Sequence, residues 1–348
     1  MINNGTTLES YQQFLRAHYL GGSGGERGRE EQPAGPPPRT GYAAGLWKGA
    51  DLYAALLQAG EVVTLGPSGM TEMRTVSGRG APQRPISLGT QVVMPGERTR
   101  AHRNMKNESF LVWQAPPGAA FVMEYEAFPM ERGDLVVCPT GGYHDHWNAG
   151  SEPAFFINGL DRGYSGLGEE QALNDRFPDD EPYQEVKKPA DYGLMTLGHV
   201  RRTSDATVHP RPPVRYPWAA TRAAITALRN DDVEGDPFDG LHLTFSNPVD
   251  GGPTLPTFAW HVQLLTARQQ TRAHRHNSTA YYHVFEGEGA TIVEGERREW
   301  GPGDLFIVPP WTWHWHENAL ADDAILFSID DWPAMTKLGF YRKDESFE

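Results

Sequence analysis

The sequence is poor in three features, and each scarcity argues against a class of protein. It holds one cysteine, Cys138, in 348 residues, so no disulfide can form within the chain. It has no apolar run approaching the ~20 residues that a membrane-spanning helix requires. It is also short of positive charge, with a formal net charge of −14. That balance argues against nucleic acids and anionic membrane surfaces as partners.

The same scarcities predict a compartment. The first residues, Met1 to Gly5, carry neither the basic nor the apolar stretch of a secretion signal. Cys138 lies in the apolar run 135–138, where a packed and unreactive thiol is expected. A chain with one buried thiol and no disulfide suits a reducing environment, so we expect a cytoplasmic protein.

What the sequence does have is a histidine pattern that occurs twice. The pattern is a pair of positions separated by one residue, then a Gly-Asp turn, then a second pair of histidines. Its two copies are His102, Asn104, Gly133-Asp134, His144 and His146, and His274, His276, Gly303-Asp304, His314 and His316. The copies are offset by 172 residues at the first histidine and by 170 at the third. Such a repeat predicts one structural module used twice.

The geometry of a β-strand indicates that the histidines of the second copy can bind one metal ion. Alternate residues of a β-strand point to the same face, so His274 and His276 can present two imidazoles to one point. His314 would arrive from a later strand lying alongside the first. Three neutral imidazoles on one side of an ion leave the opposite side open, which suits Fe(II), Mn, Co, Ni or Zn. The pattern therefore predicts a catalytic metal site rather than a closed structural one.

Short, turn-bounded segments rich in Val, Phe and Tyr predict an all-β protein. The expected strands are 89–94, 109–114, 120–128, 134–138 and 154–157, then 240–246, 258–265, 281–286, 290–293, 305–308 and 324–329. Helices are expected at 7–20, capped by Thr6 or Thr7, at 51–58 and at 218–228. The predicted divisions are an N-terminal helix and Gly/Pro-rich arm (1–50), a first barrel (51–173), a connector with a helix (174–235) and a second barrel (236–348).

Two segments carry a resemblance to a known family. Gly133 to Asn148 and Gly303 to Asn318 each resemble the second motif of the cupin superfamily. More narrowly, the chain resembles the gentisate 1,2-dioxygenase group of bicupins, which includes salicylate and 1-hydroxy-2-naphthoate ring-cleaving enzymes. Further matching segments are 247–257, 271–289, the first-half segment 158–161 and the ending 338–342, so the resemblance covers nearly everything from about residue 50. It implies two tandem jelly-roll β-barrels with a few connecting helices.

The resemblance also implies an activity. Enzymes of this group hold non-haem Fe(II), bind a 2-hydroxy aromatic acid through its carboxylate and hydroxyl oxygens, and use O2 to cleave the ring between the two substituted carbons. Like that group, the chain is expected to lack the glutamate that most cupins place after the histidine pair. A +2 ion on neutral imidazoles favours a dianionic chelating substrate. The group forms homo-oligomers, usually tetramers, and we expect the same here.

The chain departs from the group in its first barrel. There most members hold the working iron on a histidine pair, with a substrate-binding arginine a few residues later. This chain has Asn104 in place of the second histidine and the segment 109–111 where the arginine is expected. An amide oxygen is a poorer ligand for Fe(II) than imidazole. We therefore predict the metal at His274, His276 and His314, with a weaker site at His102, His144 and His146 as the alternative.

Three further residues are predicted to serve catalysis. His316 follows a ligand position by two residues and can face the same cavity, where it would handle protons or merely form the wall. Gln263 stands 11 residues before His274, as Gln91 does before His102, at a position that lines the pocket in the family; filling the strand is the alternative. Tyr282 stands where the family's first barrel has its arginine, and is either a substrate contact or a core tyrosine.

Other aromatic and basic side chains are open to two interpretations. Trp311 and Trp313 suit an aromatic pocket wall or simple packing at the barrel mouth. His261 and His283 are either inward-facing site residues or merely structural ones. Arg275 alternates with two inward-facing histidines and should point away from the metal. Two other functions stay open: a metal-dependent cupin that oxidises, decarboxylates or isomerises a different substrate in a specialised pathway, and a non-catalytic bicupin that binds small molecules.

Overall fold

A computed structural model of the chain describes residues 5–23, 44–65, 73–79, 81, 85–161, 175–187, 213–231 and 233–345. Most of the predicted Gly/Pro-rich arm, from residue 24 onward, lies outside the described residues. So does the middle of the predicted connector.

The helices of the described residues are α1 (Leu8–Ala17), α2 (Gly49–Val62), α3 (Trp218–Asn230) and α4 (Trp332–Lys337). Helix α1 begins where the Thr7 side chain accepts a hydrogen bond from the Ser10 backbone N–H. It ends earlier than predicted because the chain turns at Tyr19, which has a φ of 54°, into a short strand. None of the helices in the described ranges is long and apolar enough to cross a bilayer.

The strands of the described residues form four antiparallel sheets. In chain order, β1 to β23 are Leu20–Gly22, Leu46–Trp47, Arg74–Gly78, Ser87–Val93, His102–Arg103, Glu108–Gln114, Ala119–Met123, Glu126–Pro129, Leu135–Cys138, His144–Asn148, Ala154–Leu160, Asp175–Arg176, Arg215–Tyr216, Leu241–Thr244, Ala259–Leu265, His274–His276, Ala280–Glu286, Gly289–Val293, Glu296–Trp300, Leu305–Val308, His314–Glu317, Ala324–Asp330 and Lys343–Glu345. The predicted strand 120–128 is two strands, because Glu124 and Tyr125 turn the chain with φ of 49° and 65°.

Each barrel pairs a larger sheet with a smaller one in the same strand order. The first barrel has β3-β4-β11-β6-β9 in one sheet and β5-β10-β7-β8 in the other. The second repeats this order as β14-β15-β22-β17-β20 and β16-β21-β18-β19. Apolar side chains from both sheets of a barrel pack into a common core between them. The predicted mainly-β architecture of two tandem barrels is confirmed.

The Gly-Asp turn of each barrel contacts a helix that leads into the other barrel. Gly133 and Gly303 both have a φ of 88°, a conformation that favours glycine. The aspartate that follows each glycine accepts a hydrogen bond from the start of a helix. Asp304 of the second barrel binds the Gly49 backbone N–H at 2.7 Å, and Asp134 of the first binds that of Trp218 at 2.8 Å. Each barrel thus holds the helix that precedes the other barrel in the chain.

The larger sheets of the two barrels pack against each other. One apolar cluster contains side chains from both sheets and from α1 and α2. Polar contacts cross the same interface. The Trp260 indole N–H donates to Ser109 Oγ at 2.7 Å, and the Thr257 hydroxyl donates to Asp161 at 2.7 Å. The smaller sheets, which carry the histidines, are left on the outer sides of the pair.

The docking of α1 gives a testable stability difference. Leu15 is 3% exposed and belongs to the shared cluster, whereas Leu8 on the same helix is 46% exposed. We expect Leu15→Ala to lower the free energy of unfolding by about 2–4 kcal/mol because it removes buried methyl groups and leaves a cavity. Leu8→Ala should change it by less than about 0.5 kcal/mol. Urea unfolding measures both, and equal effects would mean that α1 is not docked as described.

Candidate metal centre

Three histidines of the second barrel converge as their spacing predicts. His274 and His276 lie on β16, and His314 on β21 pairs with His274 in the antiparallel ladder. Their candidate ligand atoms all lie within 4.8 Å of one another. The three side chains are buried, with exposures of 1%, 7% and 0%. Pairing of the two strands therefore brings three imidazoles to one point.

Backbone contacts fix the orientation of two of these rings. His314 Nδ1 lies 3.0 Å from the Thr312 carbonyl, to which it can donate, and its Nε2 is buried without a hydrogen-bond partner. His276 Nδ1 lies 3.0 Å from the Ser278 carbonyl. A contact of this kind orients a metal-binding imidazole and leaves its other nitrogen free.

The electrostatics keep these imidazoles neutral. Burial lowers the pKa of His274 to about 3 and also lowers the pKa of His276 and of His314. Neutral imidazoles are the form that coordinates metals. The unpartnered Nε2 of His314 and the all-nitrogen donor set fit a divalent transition metal.

A cavity of about 250 Å³ opens beside the histidines. Its wall contains two carboxylates, one lysine and two tyrosines. The lining residues are Asp239, His242, His261, His274, His276, Ala280, Tyr282, Ser328, Asp330, Trp332, Tyr341 and Lys343. Three of the residues predicted for the site are therefore in the wall: His274, His276 and Tyr282.

The other predicted site residues lie just behind this wall. His316 is buried, with its ring centroid 5.1 Å from that of Tyr282 and its Nδ1 2.8 Å from Thr291 Oγ1. Its Nε2 has no hydrogen-bond partner. Gln263 is also buried, and its amide donates to the backbone carbonyl of Asp239 at 2.6 Å. The side chain of Gln263 therefore contacts the loop that carries Asp239, whose carboxylate lines the cavity.

Sequence reasoning missed that carboxylate. Asp239 Oδ1 lies 3.9 Å from His274 Nε2. Burial opposes ionisation of Asp239, but the neighbouring His274 and His242 hold its pKa at about 2. Asp330, at the end of β22, lines the same cavity and lies 3.7 Å from His261 Nε2. Neither aspartate belongs to a recognisable motif, so the surroundings of the three histidines are more acidic than the histidine pattern suggests.

The sequence leaves the roles of several histidines and tryptophans open. The structure places some of them in the cavity wall and others in contacts elsewhere. His261 and His242 stack at 4.7 Å and both line the cavity. His283 instead packs against Trp113 of the first barrel, with ring centroids 5.8 Å apart. Trp311 and Trp313 lie against the Arg275 guanidinium, 4.4 Å and 4.8 Å from it, and not in the cavity wall. Arg275 also pairs with Asp344 at 2.6 Å, directed away from the cavity as its alternation with the histidines predicts.

The corresponding place in the first barrel has a different arrangement. His102 and His144 pair across β5 and β10 as His274 and His314 do, with ring centroids 4.4 Å apart. Asn104 donates to Glu108 Oε1 at 2.9 Å, and Glu108 Oε2 lies 3.5 Å from His144 Nε2. Burial opposes ionisation of Glu108, but His144 and His102 hold its pKa at about 2. His144 thus lies beside a carboxylate, whereas the equivalent His314 lies beside two other imidazoles.

The first-barrel residues do not reach a comparable ligand spacing. Within the described ranges, the second barrel's histidines are the group that brings three ligand atoms within 4.8 Å. His146 is buried among the rings of Phe110, Phe121 and Phe156, and neither of its ring nitrogens has a hydrogen-bond partner. We expected no glutamate after the histidine pair. In the first barrel this prediction is wrong, because Glu108 stands four residues after Asn104.

Comparison with known proteins agrees with this architecture. The family model for the cupin domain matches residues 260–330, which span both strands of the histidine triad. The chain is 34% identical to a 5-aminosalicylate 1,2-dioxygenase of Comamonas sp, covering 88% of this chain and 82% of the relative. It is 32% identical to a 1-hydroxy-2-naphthoate 1,2-dioxygenase of Nocardioides sp. (strain KP7), covering 98% and 88%.

A solved structure shows the same similarity in three dimensions. The salicylate 1,2-dioxygenase from Pseudoaminobacter salicylatoxidans, in its adduct with gentisate, superimposes with a TM-score of 0.78. The two chains are 25% identical, and the match covers 91% of this chain and 88% of the other. The resemblance therefore extends over both barrels.

Proposed function

The chain belongs to the family of gentisate, salicylate and hydroxynaphthoate 1,2-dioxygenases, and from that membership we propose an Fe(II) enzyme whose working metal lies in the second barrel. It is a dioxygenase that cleaves the ring of a hydroxylated aromatic carboxylic acid with O2. The observation that carries the choice of barrel is the set of three buried imidazoles within 4.8 Å, beside a cavity of about 250 Å³.

The proposed ligands are His274, His276 and His314. Three neutral imidazoles on one side of a ferrous ion leave positions open towards the cavity. Iron bound there would supply coordination positions for substrate and O2 and the redox activity that their reaction requires. The proposed division of the chain, with barrels at 51–173 and 236–348, places all of these ligands in the second barrel.

The surrounding residues would position the substrate and control protons. Burial raises the pKa of Tyr282 well above its usual range, so its phenol stays protonated and can donate a hydrogen bond to a substrate oxygen. Burial lowers the pKa of His316 to about 4, so the imidazole is unprotonated at neutral pH and its Nε2 is available as an acceptor. Gln263 would serve by fixing the Asp239 loop. Burial of these side chains strengthens their polar contacts.

A changed substrate is the second candidate, and one observation favours it. Asp239 and Asp330 both line the cavity, where a simple binder of aromatic acids would carry fewer negative charges. Oxygen uptake on gentisate, salicylates and hydroxynaphthoates separates the two candidates. Consumption of a neutral or non-aromatic compound, with no uptake on any of these acids, would favour the changed substrate.

The ring-cleavage proposal predicts dependence on the ortho-hydroxyl group. A 2-hydroxy acid can offer two oxygens to the metal, whereas benzoate offers only its carboxylate. In anaerobic holoenzyme, with nitric oxide as the oxygen surrogate, we expect salicylate to change the spectrum of the iron site and to bind at least about tenfold more tightly than benzoate. Equal binding of the two acids would contradict chelation through the hydroxyl.

Location and assembly complete the proposal. We propose that the enzyme works in the cytoplasm as a homotetramer. The buried and unpaired Cys138 is consistent with a reducing compartment. Light scattering coupled to size-exclusion chromatography measures the assembly directly, and a monomer would contradict it.

A further inference from the structure

The last strand brings a positive charge to the metal-binding face of the second barrel. Strand β23 pairs antiparallel with β16, and Lys343 lies directly opposite His276. Residues opposed in this way point to the same side of a sheet. The neighbouring opposed pair, Arg275 and Asp344, forms an ion pair on the other side at 2.6 Å. Lys343 accordingly lies in the cavity wall together with His276.

Lys343 is the cavity's source of permanent positive charge. Among the twelve residues that line the cavity, it is the one lysine, and none is arginine. Its ammonium lies 5.0 Å from the centre of the Phe238 ring and 3.2 Å from Glu345 Oε1. The side chain is 27% exposed, so the ammonium lies where an entering ligand can reach it.

The charges of the cavity give that ammonium a function. Asp239 and Asp330 place two carboxylates in the wall, and both would repel an incoming carboxylate. A divalent ion at the histidines would offset the two aspartates formally and leave no surplus for the substrate. The ammonium of Lys343 also contacts Glu345, but it is the lysine that faces the cavity and can attract the carboxylate of an aromatic acid.

We propose that Lys343 binds the carboxylate of the substrate, an inference that rests on the proposed function of the same cavity. The substrate would lie between the metal ligands and the last strand, with one carboxylate oxygen towards the metal ligands and the other towards Lys343. Tyr341, two residues earlier, also lines the cavity. Burial raises the pKa of its phenol, so it remains a neutral donor. The C-terminal strand thereby forms the side of the site that recognises the acid.

Lys343→Gln tests the proposal by removing the charge while keeping much of the side-chain length. The probes are salicylate and its neutral amide, salicylamide, titrated into anaerobic holoenzyme. The fluorescence of tryptophan, including Trp332 in the wall, reports binding. We expect roughly 10–100-fold weaker binding of salicylate, the range for losing a charge-assisted contact. Salicylamide binding and metal content should stay unchanged.

Two further variants sharpen the comparison. Lys343→Arg keeps the charge and should hold salicylate within about fivefold of the parent, since its different shape alters the contact. Lys337→Gln removes an exposed lysine of α4 whose ammonium lies 3.5 Å from the Pro256 carbonyl, and should change nothing.

Each outcome has a definite meaning. Salicylate binding equally well to the parent and to Lys343→Gln would overturn the inference and leave the proposed function standing. Equal losses of affinity for salicylate and salicylamide in Lys343→Gln would also overturn it. The lysine would then support the cavity wall without binding the carboxylate. If the parent holoenzyme bound neither compound nor any other 2-hydroxy aromatic acid, the proposed function itself would fail.

Discussion

His276→Ala is expected to abolish metal binding and nearly all activity. The substitution leaves two imidazoles where three lie within 4.8 Å. Loss of an outer partner of a metal ligand already costs 10–100-fold in affinity or activity, so loss of a ligand should lower both by more than about 100-fold. Metal analysis of the purified variant and its oxygen uptake on the preferred acid measure the two effects.

The first barrel supplies the matched control. Asn104 occupies the position equivalent to His276, but its amide contacts Glu108. Asn104→Ala should therefore keep its iron and its activity. Full iron content in His276→Ala together with loss of iron in His144→Ala would place the metal in the first barrel. His314→Ala should reproduce the effect of His276→Ala, since both remove a ligand from the same point.

Local patterns predicted the parts of the site that lie on regular strands. Alternation along β16 places His274 and His276 on one face, and the repeated Gly-Asp turn predicts the strand that leads to His314. These features depend on glycine at the turn, on residue spacing and on the two-residue period of a strand, all of which can be seen in the sequence. The same signals located most of the strands in each core, within a few residues at their ends.

The charged groups of the cavity could not be predicted in this way. Asp239 reaches the site from a loop, and its position depends on the Gln263 amide that holds its carbonyl. Lys343 lies on a strand of three charged residues, Lys343–Glu345, that has no apolar alternation. Such a strand forms because β16 offers an unpaired edge, a contact between segments about 70 residues apart in the sequence. No pattern within the segment itself predicts that pairing.

The first barrel shows the same limit in another form. Asn104 was correctly recognised as a departure from a histidine pair, but its consequence lies in Glu108. The carboxylate accepts a hydrogen bond from the Asn104 amide and lies beside His144, so the first barrel has a buried carboxylate next to its histidines where the second barrel has three imidazoles together. A sequence pattern can identify a lost ligand, whereas the group that replaces it depends on side-chain directions in the folded barrel.

The second large effect is expected for His316→Ala. The ring of His316 lies behind Tyr282, and its Nε2 is buried without a hydrogen-bond partner. A group of this kind either handles a proton during the reaction or fills the wall. If it handles a proton, its loss should lower kcat by roughly 10²–10⁴-fold. Metal content should change little, because the ligand atoms of the triad are untouched.

His146→Ala is the matched control for His316, since the two histidines hold equivalent positions in the two barrels. Both are buried, and both have an Nε2 without a hydrogen-bond partner. Each variant loses a buried imidazole, so a similar loss of stability is expected from both. A large fall in kcat in His316→Ala alone would therefore separate chemistry from packing. Equal and small effects on kcat in the two variants would reduce His316 to a wall residue and leave proton handling to Tyr282 or to the substrate itself.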